Sequence, residues 1–85
     1  MSSGLDLQVL LFASIAEQAG CNELRLPFVE GETIAALRHR LSRRLPNISD
    51  GLKGSRLALN ETFADESEQL AAGDCLAVIP PVAGG

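Results

Sequence analysis

Ile34, Leu37, Leu41 and Leu45 recur at three- and four-residue spacings, so a helix over residues 32–45 places all four on a single apolar stripe. Thr33 stands where it can cap that helix and Pro46 where it stops it. Elsewhere the apolar residues come in short runs with a period of two, which marks strands with one covered side. One striped helix among short strands buries its stripe by lying on a sheet. The chain therefore predicts an α+β fold, a mixed sheet packed on one main helix. Its 85 residues, 46% of them hydrophobic, suffice for one modest core.

The strand patterns are specific about faces. From Leu5 to Phe12 the alternation puts Leu7, Val9 and Leu11 on the inner side, with Asp6 and Gln8 on the other. The same parity sends Leu10 and Phe12 outward, where folding requires no apolar residue, and marks them as a contact patch. Residues 13–20 predict a helix of one or two turns, with Ser14 as its cap and Gly20 as its stop. Residues 22–28 predict a second strand that ends at a sheet edge with Pro27. Residues 47–55 are rich in turn formers, 56–60 alternate as a third strand, and 60–62 turn into a brief return around Phe63. Asp65-Glu66-Ser67-Glu68 is expected to be a solvated loop. Cys75 to Ile79 is a nearly continuous apolar run, which predicts a central strand covered on both sides for part of its length. Ile79 then points away from Leu76 and Val78. The expected organisation is one domain over 5–79 followed by a tail over 80–85.

Composition excludes several functions. A formal charge of −4 argues against a nucleic-acid partner. Cys21 and Cys75 have no Cys-x-x-Cys spacing, and with His39 the sole histidine there is no metal-ligand cluster. No apolar run approaches the roughly 20 residues that span a bilayer, so no membrane association is expected. The start Met1-Ser2-Ser3-Gly4 lacks the regions of a signal peptide, and a cytoplasmic protein with free thiols is expected. Arg38, His39, Arg40, Arg43 and Arg44 read as a solvated helix face. No acid and base stand in a convincing catalytic arrangement.

The chain ends Ile79-Pro80-Pro81-Val82-Ala83-Gly84-Gly85. A last residue without Cβ exposes its carboxylate to approach from any direction. Pro80 and Pro81 confine the arm behind it to extended conformations and lower the entropy lost when it docks. The pattern points to chemistry on the carboxyl group of Gly85.

Val9-Leu10-Leu11-Phe12-Ala13, Ala36-Leu37-Arg38, Leu59-Asn60, and Gly73-Asp74 followed by the Pro-Pro-Val-x-Gly-Gly ending together resemble the small subunits of molybdopterin synthase, within the ubiquitin-like sulfur carrier family. The resemblance covers essentially the whole chain after the first few residues. It implies a β-grasp, ubiquitin-like fold. It implies that Gly85 is adenylated by an ATP-using activating enzyme and converted to a thiocarboxylate with sulfur from a donor protein. The charged tail then enters the large synthase subunit and gives its sulfur to cyclic pyranopterin monophosphate during molybdenum cofactor biosynthesis. The chain would act as a non-catalytic, sulfur-donating subunit that binds no cofactor of its own, in a heterotetramer of two small and two large subunits. Leu10, Phe12, Phe63 and Ile79 are the expected partner interface, and Pro80, Pro81, Val82, Ala83 and Gly84 the arm that carries Gly85. The chain departs from the family at Ala16, where an arginine is common, at Val78 or Ile79, where an aromatic is common, and at Ala83, which replaces a frequent threonine. The same diglycine would also serve a ubiquitin-like protein modifier, or a sulfur carrier for thiamine or tRNA thiolation. A pure interaction domain would leave the tail unused.

Overall fold

The computed structural model describes residues 6–81. Leu5 and the tail positions Val82, Ala83, Gly84 and Gly85 lie outside the described residues. The elements are β1 (Leu7–Leu11), α1 (Ala13–Ala19), β2 (Glu23–Leu26), α2 (Ile34–Arg44), a 3-10 turn (Pro46–Ile48), α3 (Ser49–Lys53), β3 (Arg56–Leu59), β4 (Thr62–Phe63) and β5 (Cys75–Ile79). They follow the predicted order, with residues 46–53 resolving into two short helical turns.

The sheet runs β2-β1-β5-β3-β4. β1 pairs in parallel with β5, and the other neighbours are antiparallel, so the sheet is mixed. The first and last strands thus lie side by side in its middle, and the chain leaves the sheet at its centre through Pro80. β2 is an edge strand, as Pro27 requires.

Alternation decides which side is covered. Leu7, Val9 and Leu11 of β1 and Leu76 and Val78 of β5 meet Ile34, Leu37 and Leu41 of α2 at 0–1% exposure. Full burial of each such side chain is worth roughly 1.5–3 kcal/mol, which is what holds helix and sheet together. Ile15, Ile48 and Leu52 continue the same core. Gly51 lets α3 approach α1, because a Cβ there would stand 2.5 Å from Ile15 Cδ1.

The start of α2 departs from the sequence expectation in an informative way. Thr33 is its N-cap, and Thr33 Oγ1 accepts from the Ala36 amide at 3.2 Å, as predicted. The two preceding amides, of Ile34 and Ala35, donate to the carbonyls of Glu68 and Glu66 at 2.9 and 3.0 Å. The acidic stretch 65–68 is therefore a seat for the helix N-terminus, because the first amides of a helix lack partners within it. Its side chains join in, with Glu66 accepting from Arg38 at 2.8 and 3.0 Å.

Arg38 itself is no solvated cation. Its Nη1 also donates to the carbonyls of Leu52 and Ser55 at 2.6 and 2.8 Å, tying α2 to the α3–β3 connection. Arg40 likewise makes a two-point contact with Glu32 and donates to the Pro27 carbonyl. His39, Arg43 and Arg44 do stand in solvent. A second correction concerns α1, whose N-cap is Phe12 and not Ser14, with no side-chain cap bond. Gly20 ends it as expected, in the left-handed conformation at φ 79°, where a Cβ would be strained.

Candidate functional site: the outer sheet face and the tail root

The strand register aligns outward-pointing residues into rows. Leu10 of β1 pairs with Ala77 of β5, Ala77 with Ala58 of β3, and Ala58 with Phe63 of β4. Partners in a register share a face, so these four side chains form one apolar row across four strands. Large residues at the ends and alanines in the middle shape it as a shallow trough. In the adjacent row Ile79 stands opposite Arg56. Phe12 lies just past the end of β1 on the same side.

Ala58, in the middle of the row, is buried at 5% exposure, whereas the larger outward residues stay partly or largely open. Phe12 is 47% and Phe63 49% exposed, while Leu10 and Ile79 are half-buried. β5 is the central strand, as expected, with cover that differs between its sides: Leu76 and Val78 are buried, whereas Cys75, Ala77 and Ile79 are only partly so. Single exposed apolar residues are unremarkable, but a contiguous row in register is a surface suited to a partner.

The row has polar margins. On the β2 side Gln8 Nε2 donates to Glu23 Oε2 at 2.7 Å. On the other side the Arg56 guanidinium carbon lies 3.7 Å from the centroid of the Phe63 ring. An open hollow of about 480 Å³ adjoins the row at Leu10, Phe12, Ala13, Ala16, Asn22 and Glu23.

The tail root stands at the end of the central strand. Ile79 is the last residue of β5, Pro80 is half-buried and Pro81 is exposed. Pro81 passes close to Gly54, where a Cβ would be 3.8 Å from Pro81 Cγ. Four of the residues singled out from sequence, Leu10, Phe12, Phe63 and Ile79, are thus brought to one face of the sheet, together with Pro80 at its root.

Two sequence motifs prove to be one structural device. Asn60 Nδ2 donates to Asp74 Oδ1 at 3.0 Å, and the Cys75 amide donates to Asn60 Oδ1 at 3.0 Å. Asp74 Oδ2 meanwhile accepts from the Ala71 amide at 2.7 Å. Gly73 takes φ 81° in the turn between them. The Gly-Asp turn and the β3–β4 hairpin are therefore locked together, which fixes where β5 begins and with it the register of the outer row. Sequence reasoning missed Ala58 and Ala77, whose place depends on pairing between distant strands, and the Arg56–Phe63 contact. The signal for the latter was an arginine diagonal to an aromatic across a short hairpin.

Cys21 and Cys75 are half-buried free thiols. Among the described residues no helix is long and apolar enough to cross a membrane.

Comparison with known proteins agrees with this geometry. The ThiS family model matches residues 9–85. The chain is 33% identical over 84 residues to the molybdopterin synthase sulfur carrier subunit of Arabidopsis thaliana, covering 99% of this chain and 88% of the relative. The crystal structure of small archaeal modifier protein 1 from Haloferax volcanii superposes with a TM-score of 0.79 at 29% identity, covering 91% of this chain and 98% of that one. A chain from the complex of subunits 1 and 2 of the molybdopterin-converting factor of Helicobacter pylori shares the fold, with a TM-score of 0.67 at 23% identity over 94% of this chain and 99% of that one. The architecture is the ubiquitin-like β-grasp.

Proposed function

The chain belongs to the ThiS family, and from that membership we propose that it is the sulfur-carrying small subunit of molybdopterin synthase, with Gly85 as the residue that bears the sulfur. The observation that carries this reading is the pairing of a partly exposed apolar row with a tail root on the central strand of the same sheet. A protein that docks on Leu10, Phe12, Phe63 and Ile79 receives the arm beginning at Pro80 directly. The structurally similar chain from Helicobacter pylori occurs in a complex of subunits 1 and 2 of a molybdopterin-converting factor, which supports a large-subunit partner.

The chemistry follows from the terminus. A carboxylate is a poor electrophile. When its oxygen attacks the α-phosphorus of ATP, pyrophosphate leaves and the acyl-adenylate gains a good leaving group. A persulfide sulfur of a donor protein then displaces AMP to form an acyl disulfide; a thiol attacks the donor-side sulfur, leaves as a disulfide with the donor, and releases a thiocarboxylate, an anionic sulfur nucleophile at the end of a narrow arm. The adenylating enzyme supplies the ATP site and the large subunit the pterin site. This chain supplies the fold, the docking face and the terminal carboxyl group, with no cofactor of its own.

Reconstitution tests the reading. The full chain, combined with the adenylating enzyme, ATP, a sulfur donor, the large subunit and cyclic pyranopterin monophosphate, is expected to yield molybdopterin, whereas a chain lacking Gly85 yields none and still binds the large subunit. Product formation by the shortened chain would contradict it. The likeness to small archaeal modifier protein 1 favours a second reading, in which the same adenylate is passed to lysines of target proteins. Isopeptide-linked adducts ending in Gly85, with no thiocarboxylate, would select that reading.

A further inference from the structure

We infer that Arg56 selects the partner of the outer sheet face, by pairing with a carboxylate that the docking protein presents beside the tail root. The inference rests on the reading of that face as the large-subunit interface.

Three observations support it. Arg56 is exposed, and it stands opposite Ile79, the residue before Pro80. Its guanidinium is held over the Phe63 ring at 3.7 Å. Among the described residues it has no carboxylate partner, since the two ion pairs belong to Arg38 and Arg40 on α2. The cation thus lies against an aromatic ring at the border of an apolar face, with no carboxylate partner among the described residues.

Docking makes that arrangement consequential. Burying an unpaired charge is strongly unfavourable, so a partner that covers the Phe63 end of the row must supply an acceptor. The ring occupies one face of the guanidinium, and the five N–H groups point outward in its plane. An in-plane fork of donors matches a carboxylate at two points, which an ammonium group does not do. Holding the group over the ring in the free chain also reduces the freedom lost on binding. A partner with an apolar or basic group at that place is rejected, so one residue contributes both attraction and discrimination.

The test measures binding of the full chain to the large subunit by calorimetry at low and at physiological salt. Arg56→Met is expected to weaken binding about tenfold and to flatten its salt dependence, the behaviour of a lost interfacial charge pair. Arg56→Glu is expected to bind more weakly still, and Arg56→Lys to recover part of the loss. Circular dichroism and thermal unfolding of each variant establish that it is folded. Equal or tighter binding by folded Arg56→Met, or an unchanged salt dependence, would overturn the inference while leaving the interface reading intact. Failure of the unaltered chain to bind the large subunit would remove both.

Discussion

In β5, Leu76 and Val78 have no exposure at all, while their neighbours Cys75, Ala77 and Ile79 remain partly open. The same contrast runs through β1, where Leu7, Val9 and Leu11 are buried and Leu10 is not. Both sets are apolar, so hydrophobicity does not separate them. What separates them is cover: the inner set packs with α2 in one core, whereas Leu10, Phe12, Phe63 and Ile79 on the other face stay partly or largely exposed. The inner set accounts for the fold. The outer set is in excess of what folding uses, and it converges on the strand from which the tail leaves.

This contrast breaks if substitutions on the two faces have the same consequences. Leu76→Ala removes a fully buried side chain next to α2 and is expected to destabilise the domain by about 2–5 kcal/mol in denaturant unfolding, a large share of the total for a domain of this size. Ile79→Asp, three residues on, is expected to leave stability within about 1 kcal/mol and to weaken large-subunit binding by about 2–4 kcal/mol, as at an interface hot spot. Unaltered affinity would remove Ile79 from the proposed interface. A finer comparison lies along α2. Arg38→Met leaves the Leu52 and Ser55 carbonyls without their donor and is expected to lower stability by about 1.5–3 kcal/mol, whereas Arg43→Met, in solvent, is expected to leave it nearly unchanged.

The smallest effect concerns pH. The hydrogen bond from Arg38, assisted by its charge, holds the Glu66 carboxyl below its ordinary value of 4.5, against a smaller opposing effect of burial. Because the folded value is the depressed one, this stabilisation is complete above the ordinary carboxylate range and is lost as pH falls through the folded value. Glu66 is half exposed, so solvent screens the pair to about 0.2–1 kcal/mol. Glu66→Gln is expected to remove this part of the acid-side loss of stability. An unfolding profile between neutral and acid pH that matches the unaltered chain would show that the pair contributes nothing.

The division of faces was legible in the sequence because a strand alternates with a period of two, so Leu7, Val9 and Leu11 reveal their side without any tertiary knowledge. The stripe of α2 and its Thr33 cap were legible for similar local reasons. Arg38 was not, because its partner Glu66 is 28 positions away and its other contacts are backbone carbonyls that any sequence could provide. The composition of the outer row was illegible too: the Ala58–Ala77–Leu10 alignment depends on how β5 slots between β1 and β3. The β3–β4 hairpin turns through Asn60 and Glu61, both at positive φ, and only the asparagine is a usual choice there. The reading of Gly84-Gly85 rests on chemistry alone, since both lie outside the described residues.

Whether Gly85 carries sulfur is measured directly by the intact mass of the full chain after incubation with the adenylating enzyme, ATP and a sulfur donor. The predicted result is a mass increase equal to exchange of one oxygen for sulfur, mapped by fragmentation to the C-terminal glycine. An unchanged mass, under conditions in which the Arabidopsis thaliana relative acquires sulfur, would contradict it.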